Sequence, residues 1–70
     1  MQFNERLKAL REDNDITQTE LEKAVYVTQR NISFYETGAN EPDIKTIIAL
    51  ARFFNVTTDY ILGISDKRKT

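Results

Sequence analysis

Along this chain of 70 residues, the side chains best equipped to recognise another molecule gather in one short stretch: Gln29, Arg30, Ser33 and Phe34. Taken at about 100° per residue on a helix, these four point outward, while Ile32 and Tyr35 point inward with Glu36 beside them. An amide, a guanidinium, a hydroxyl and an aromatic ring on one open face can hydrogen-bond and stack, but none of them is a general base. Histidine and cysteine are both absent. That removes the usual general base, the usual zinc ligands, every histidine-containing triad and any disulfide. The only glycines are Gly38 and Gly63, so there is no P-loop or glycine-rich phosphate motif. Binding rather than turnover is what remains. No enzymatic activity, cofactor, metal site or small-molecule sensor pocket is expected.

The elements that must position this stretch read as helices. No run alternates apolar and polar residues around a tight turn, so strand signals are missing. Phe3, Leu7 and Leu10 recur at helical spacing and predict a first helix that ends in Asp13-Asn14-Asp15. Thr17-Gln18-Thr19-Glu20 matches a capping box, and Leu21, Ala24 and Val25 supply an apolar face, so a second helix runs from Gln18 to Val25. Thr28 caps a third helix over Gln29 to Thr37 that stops at Gly38. Asp43, just after Pro42, caps a fourth helix whose broad stripe of Ile44, Ile47, Ile48, Leu50, Ala51 and Phe54 suits the centre of the core. Thr57 caps a short fifth helix, stopped by Gly63, and residues 64–70 read as a charged, flexible, solvated tail containing Lys67-Arg68-Lys69. The expected fold is therefore all-α, a compact five-helix domain over residues 1–63 followed by that tail.

Helices two and three are separated only by Tyr26 and Val27. A link that short forces a steep crossing, the geometry of a helix-turn-helix, which buries one face of the third helix and leaves the other projecting. Composition is that of an ordinary globular domain, with 40% apolar and 30% charged residues and a formal charge of −1. The core of so short a chain is thin. No apolar run is long enough to span a membrane, and Met1-Gln2-Phe3-Asn4-Glu5-Arg6 lacks the layout of a signal peptide, so the expected location is the cytoplasm.

These segments resemble the phage-repressor class of helix-turn-helix regulators, the Cro-like or XRE-type family. The resemblance runs from Phe3 to Gly63. It is carried by Leu7-Lys8-Ala9-Leu10-Arg11, Thr17-Gln18-Thr19-Glu20-Leu21 and Ile32-Ser33-Phe34-Tyr35-Glu36-Thr37-Gly38. Glu41-Pro42-Asp43, Phe54-Asn55-Val56 and Asp59-Tyr60-Ile61-Leu62-Gly63 complete it. The resemblance implies a lambda-repressor-like fold and sequence-specific binding of double-stranded DNA, with the third helix in the major groove.

By the same resemblance, Gln18 opens the second helix against a phosphate, with nearby backbone N–H groups. Gln29 suits a bidentate contact with adenine, and Arg30 a guanine or a phosphate. Thr28, Asn31 and Ser33 flank them, Phe34 holds a base-reading position against a thymine methyl, and Asn40 is a phosphate contact. Arg11 and Glu36 match a salt bridge between the first and third helices that is structural in the family. A protein-contact role for Phe34 stands beside the base-reading one, and phosphate contact stands beside simple solvation for Lys67-Arg68-Lys69.

Three features depart from the family pattern. Glu22 stands where a small residue is usual, so its carboxylate must turn outward or find a partner. Tyr26 replaces the glycine of the turn, at a cost of roughly 1–2 kcal/mol if the turn needs positive φ. From Thr17 to Thr46, Lys23, Arg30 and Lys45 stand against Glu20, Glu22, Glu36, Glu41 and Asp43, a net charge of −2. Non-specific DNA affinity, which comes from phosphate neutralisation, should therefore be low.

One reading helix covers few base pairs, so a two-fold homodimer on half-sites about 34 Å apart is expected. Phe53, Tyr60, Ile61 and Ile64 are the candidate interface. The expected activity is transcriptional repression by occupying an operator. The alternative is a protein-interaction module on the same fold, an antitoxin or anti-repressor component, for which Phe34, Tyr26 and the acidic surface speak. A third possibility is that the chain is one domain of a longer protein, the tail being the start of a linker.

Overall fold

Four hydroxyl or carboxylate side chains start four of the five helices by accepting a backbone N–H that would otherwise be orphaned in the first turn. Thr17 Oγ1 accepts from the Glu20 N–H at 3.1 Å, and the Glu20 carboxylate accepts from the Thr17 N–H at 2.9 Å, closing the capping box. Thr28, Asp43 and Thr57 accept from Asn31, Thr46 and Tyr60 in the same way. The computed structural model describes residues 1–68. In chain order the helices are α1 (Phe3–Asp13), α2 (Gln18–Val25), α3 (Gln29–Thr37), α4 (Ile44–Phe54) and α5 (Thr58–Ile61). Backbone and side-chain hydrogen bonds with Thr17 hold the Glu20 carboxyl below the usual carboxylate range, and those with Thr46 do the same for Asp43.

Three of the helices end on left-handed residues. Gly38 (φ 82°) closes α3 at no steric cost, but Tyr26 (φ 59°) closes α2 and Asn55 (φ 57°) closes α4. The turn between α2 and α3 thus does require positive φ, and a bulky aromatic adopts it while remaining 94% exposed. Gly63 (φ 82°) has a second constraint, because a Cβ there would overlap the carbonyl oxygen of Met1.

Each helix gives the core one side chain that is at most 1% exposed: Leu7, Leu21, Ile32, Leu50 and Ile61. α3 packs on α1 and α2, α4 on α2 and α5, and α5 returns to α1. Ile61, expected at an intermolecular surface, is therefore a core residue with nothing left to offer a partner. Ile44 (75% exposed) and Ile48 (38%) depart from expectation in the other direction. The arc of α4 covered by α2 and α5 is occupied by Ile47, Leu50, Ala51 and Phe54, with Ile48 at its edge and Ile44 in the open first turn. Ala24 is likewise exposed, so Leu21 and Val25 carry the inner face of α2.

The segment after α5, expected to be solvated, folds back as far as it is described. The Thr57 N–H donates to the Arg68 carbonyl at 2.8 Å, and Arg6 Nη2 donates to Asp66 Oδ1 at 3.2 Å. Lys69, the last of the expected basic triplet, lies outside the described residues.

Candidate nucleic-acid interface

The inward face of α3 is apolar at Ile32 and Tyr35 but carries one buried acid, Glu36, whose side chain is only 3% exposed. A buried carboxylate needs a cation and satisfied oxygens. Arg11 of α1 supplies both, donating from Nε at 2.6 Å and from Nη2 at 3.1 Å, a bidentate fork. Its Nη1 reaches the Ile16 carbonyl at 2.9 Å, which ties the α1–α2 link into the same cluster. Bonding to Glu36 raises the Arg11 guanidinium above its already high ordinary pKa, so the arginine keeps its charge at any physiological pH.

The cluster does not stop there. Gln18 Nε2 donates to Glu36 Oε1 at 3.0 Å, and Gln18 Oε1 accepts from Gln29 Nε2 at 2.6 Å. A continuous chain of polar contacts therefore runs from α1 through the buried acid to the exposed first residue of α3. The backbone of that residue is held as well, since the Gln29 N–H donates to Glu22 Oε1 at 3.0 Å. Glu22 thus finds the partner its position demanded: it satisfies a first-turn donor of α3 from across the turn.

The remaining expected contact residues divide by position. Thr28 is the α3 cap, Arg30 and Asn31 are exposed, and Ser33 and Phe34 are half-buried. Arg30 stacks its guanidinium 5.5 Å from the centre of the Phe34 ring. Asn40 is exposed in the loop after α3, where its N–H donates to the Phe34 carbonyl at 3.4 Å. Gln18, Thr28, Gln29 and Arg30 thus gather at the start of α3 and Asn40 at its far end. Phe53 (43% exposed) and Ile64 (73%) lie on the surface, whereas Tyr60 is half-buried between Arg6 and Arg68, whose guanidinium carbons sit 4.0 and 5.6 Å from its ring centre.

Sequence reasoning missed the links Gln18–Gln29 and Gln18–Glu36 and the capping role of Glu22. Only the last left a signal, a carboxylate seven residues before a helix start with an uncapped N–H. Among the described residues, no group of three potential ligands is placed to hold a metal ion, and no helix is long and apolar enough to cross a membrane.

Comparison with known proteins bears on this face. The helix-turn-helix family model matches residues 7–61. The chain is 36% identical to the HTH-type transcriptional regulator ImmR of Bacillus subtilis over 73 aligned positions, covering 100% of this chain and 58% of that protein. It is 37% identical to the HTH-type transcriptional activator BcrR of Enterococcus faecalis over 63 positions, 90% of this chain and 31% of that protein. It therefore spans less than two thirds of the length of either relative. Among solved structures, the P22 c2 repressor in complex with a synthetic operator superposes with a TM-score of 0.87 at 31% identity, covering 93% of this chain and 98% of that one. The DNA-binding domain of the P22 c2 repressor in solution gives 0.83 at 30% identity, covering 96% and 91%.

Proposed function

This chain belongs to the helix-turn-helix family, and from that premise we propose that it is a transcriptional regulator that binds double-stranded DNA with α3 in the major groove. It acts as a repressor, two copies occupying a two-fold operator. The observation that carries the reading is the polar chain Arg11–Glu36–Gln18–Gln29. A glutamine has two amide donors and one carbonyl acceptor. The bond to Gln18 uses one Gln29 donor and leaves the other donor and the carbonyl, the pair an adenine edge takes through N7 and N6. The amide is thereby oriented before DNA arrives, which reduces the ordering cost of the contact.

In this reading Gln18 directs its second amide hydrogen to a phosphate, and Asn40 contacts the backbone at the other end of α3. Arg30 reads a guanine, with Thr28, Asn31, Ser33 and Phe34 along the same face. Residues 1–63 form the DNA-binding unit, and the segment 64–68 folds back against it. The exposed Phe53 and Ile64, with the rim of Tyr60, form the self-interface. The net charge of −2 from Thr17 to Thr46 leaves little general attraction to phosphate, so base contacts carry an unusually large share of the affinity and the salt dependence is shallow.

A protein-interaction role is the second reading, favoured by Tyr26, a 94% exposed aromatic held in a left-handed conformation. Selection of randomised duplex DNA by the purified protein at low salt separates the two. Enrichment of a two-fold site, lost in a Gln29→Ala, Arg30→Ala variant, is the expected result. No enrichment by protein with native helical circular dichroism, in the dimeric state by light scattering, overturns DNA binding in favour of the interaction module.

A further inference from the structure

We infer that Arg30 and Phe34 act as one reading unit for a pyrimidine–guanine step whose pyrimidine carries a C5 methyl group, thymine or 5-methylcytosine. The inference rests on the DNA-binding reading above and names the step that this part of α3 selects. Residues 30 and 34 stand one turn apart on the same outward face, and the guanidinium carbon lies 5.5 Å from the ring centre. Stacking of this kind orders an arginine without using any of its N–H donors. Among the described residues no carboxylate pairs with Arg30, the salt bridges being made by Arg6, Arg11 and Arg68. Its fork is thus oriented by an apolar surface and has its hydrogen bonds unspent, as a bidentate contact with guanine O6 and N7 requires.

Phe34 is itself held. It is half-buried, and its carbonyl accepts from the Ala39 N–H at 2.9 Å and from Thr37 Oγ1 at 3.2 Å, which stiffens the end of α3. The ring, only half-buried, lies beside the guanidinium. In the major groove, the C5 position of the pyrimidine on the 5′ side of a guanine lies next to that guanine's O6 and N7, about 3.4 Å away along the strand. A methyl group there fills the space against the ring and the guanidinium face. An unmethylated cytosine leaves that space empty. Thymine and 5-methylcytosine present the same methyl group, so the unit makes binding responsive to cytosine methylation wherever the site has cytosine before the guanine.

The test uses the wild-type protein and the operator obtained by selection, varied only at the pyrimidine before the guanine. Thymine is exchanged for uracil, and in a second pair cytosine for 5-methylcytosine. The methylated member of each pair is expected to bind about fourfold more tightly, the worth of one buried methyl group. In Phe34→Ala both ratios fall to one while the guanine preference persists, and Arg30→Ala loses the guanine preference. Ratios of one with wild-type protein, or a selected site with no pyrimidine–guanine step, overturn the reading unit and leave DNA binding standing. A folded protein that enriches no site removes both together.

Discussion

Two arginines of α1 are withdrawn from water and cross to other parts of the fold, yet they are held in opposite ways. Arg11 meets a carboxylate even more buried than itself, side-chain exposures being 14% for the arginine and 3% for Glu36, in a two-pronged contact. Arg6 is 6% exposed, but its carboxylate partner Asp66 is 99% exposed. Its guanidinium lies over the Tyr60 ring, and its Nε has no partner among the described residues. Burial disfavours ionisation of the Tyr60 hydroxyl, but the neighbouring Arg68 and Arg6 guanidiniums outweigh it and bring the pKa below its ordinary value.

The difference is one of dielectric surroundings. A charge pair closed off from water cannot loosen without exposing two uncompensated charges to the interior, so it behaves as a lock. A pair with one member in water is screened, and its geometry is cheap to change. The lock is continuous with Gln18 and Gln29 at the start of α3. The looser contact only tethers the segment after α5. Positional accuracy is concentrated where the DNA contacts are proposed.

The most severe way to break this comparison is Glu36→Ala, which strands the Arg11 guanidinium. Urea unfolding should show a loss of about 3–5 kcal/mol. Replacing both partners by apolar residues, Arg11→Met with Glu36→Leu, should restore most of the stability but not the affinity for the selected operator, because Gln18 has lost its anchor. If affinity returns along with stability, the polar chain has no positioning role. A middle-sized effect of opposite sign is expected from Tyr26→Gly, which relieves the left-handed strain in the turn between α2 and α3. Thermal melting should report a gain of about 1 kcal/mol. Unchanged operator affinity in that variant would locate any use of Tyr26 outside DNA binding. The smallest effect belongs to the tether: Asp66→Asn should cost less than about 1 kcal/mol by urea unfolding and leave operator affinity alone. A loss as large as that of Glu36→Ala would erase the distinction between the two arginines.

Much of the architecture was legible from local chemistry. α2 and α3 begin and end where Thr17, Thr28 and Gly38 place them, because caps and left-handed terminators act within a turn of the residues they affect. The inward set Ile32, Tyr35 and Glu36 follows from period alone, as does the pairing of Arg11 with Glu36 from the family resemblance. The stripe of α4 was legible only in part. Its apolar residues span a wider arc than its neighbours cover, and the width of that cover is set by α2 and α5, not by α4. Ile61 reads equally as core or as interface, since both want an apolar residue at that spacing. Only the docking of α5 onto α1 and α4 assigns it to the core.

By itself, then, the sequence determined the five helices, the short turn that crosses α2 over α3, and the absence of the side chains that histidine or cysteine chemistry needs. These depend on residue type and on spacings within about one or two turns, where backbone geometry leaves few alternatives. Tertiary structure alone decided that Gln18 bridges Glu36 to Gln29 and that Glu22 caps α3 from across the turn. It also decided that residues 64–68 return to α1 and that the Ile44 edge stays open. Each of these joins side chains from different elements, and a hydrogen bond that tolerates only a few tenths of an ångström is settled by how whole helices pack.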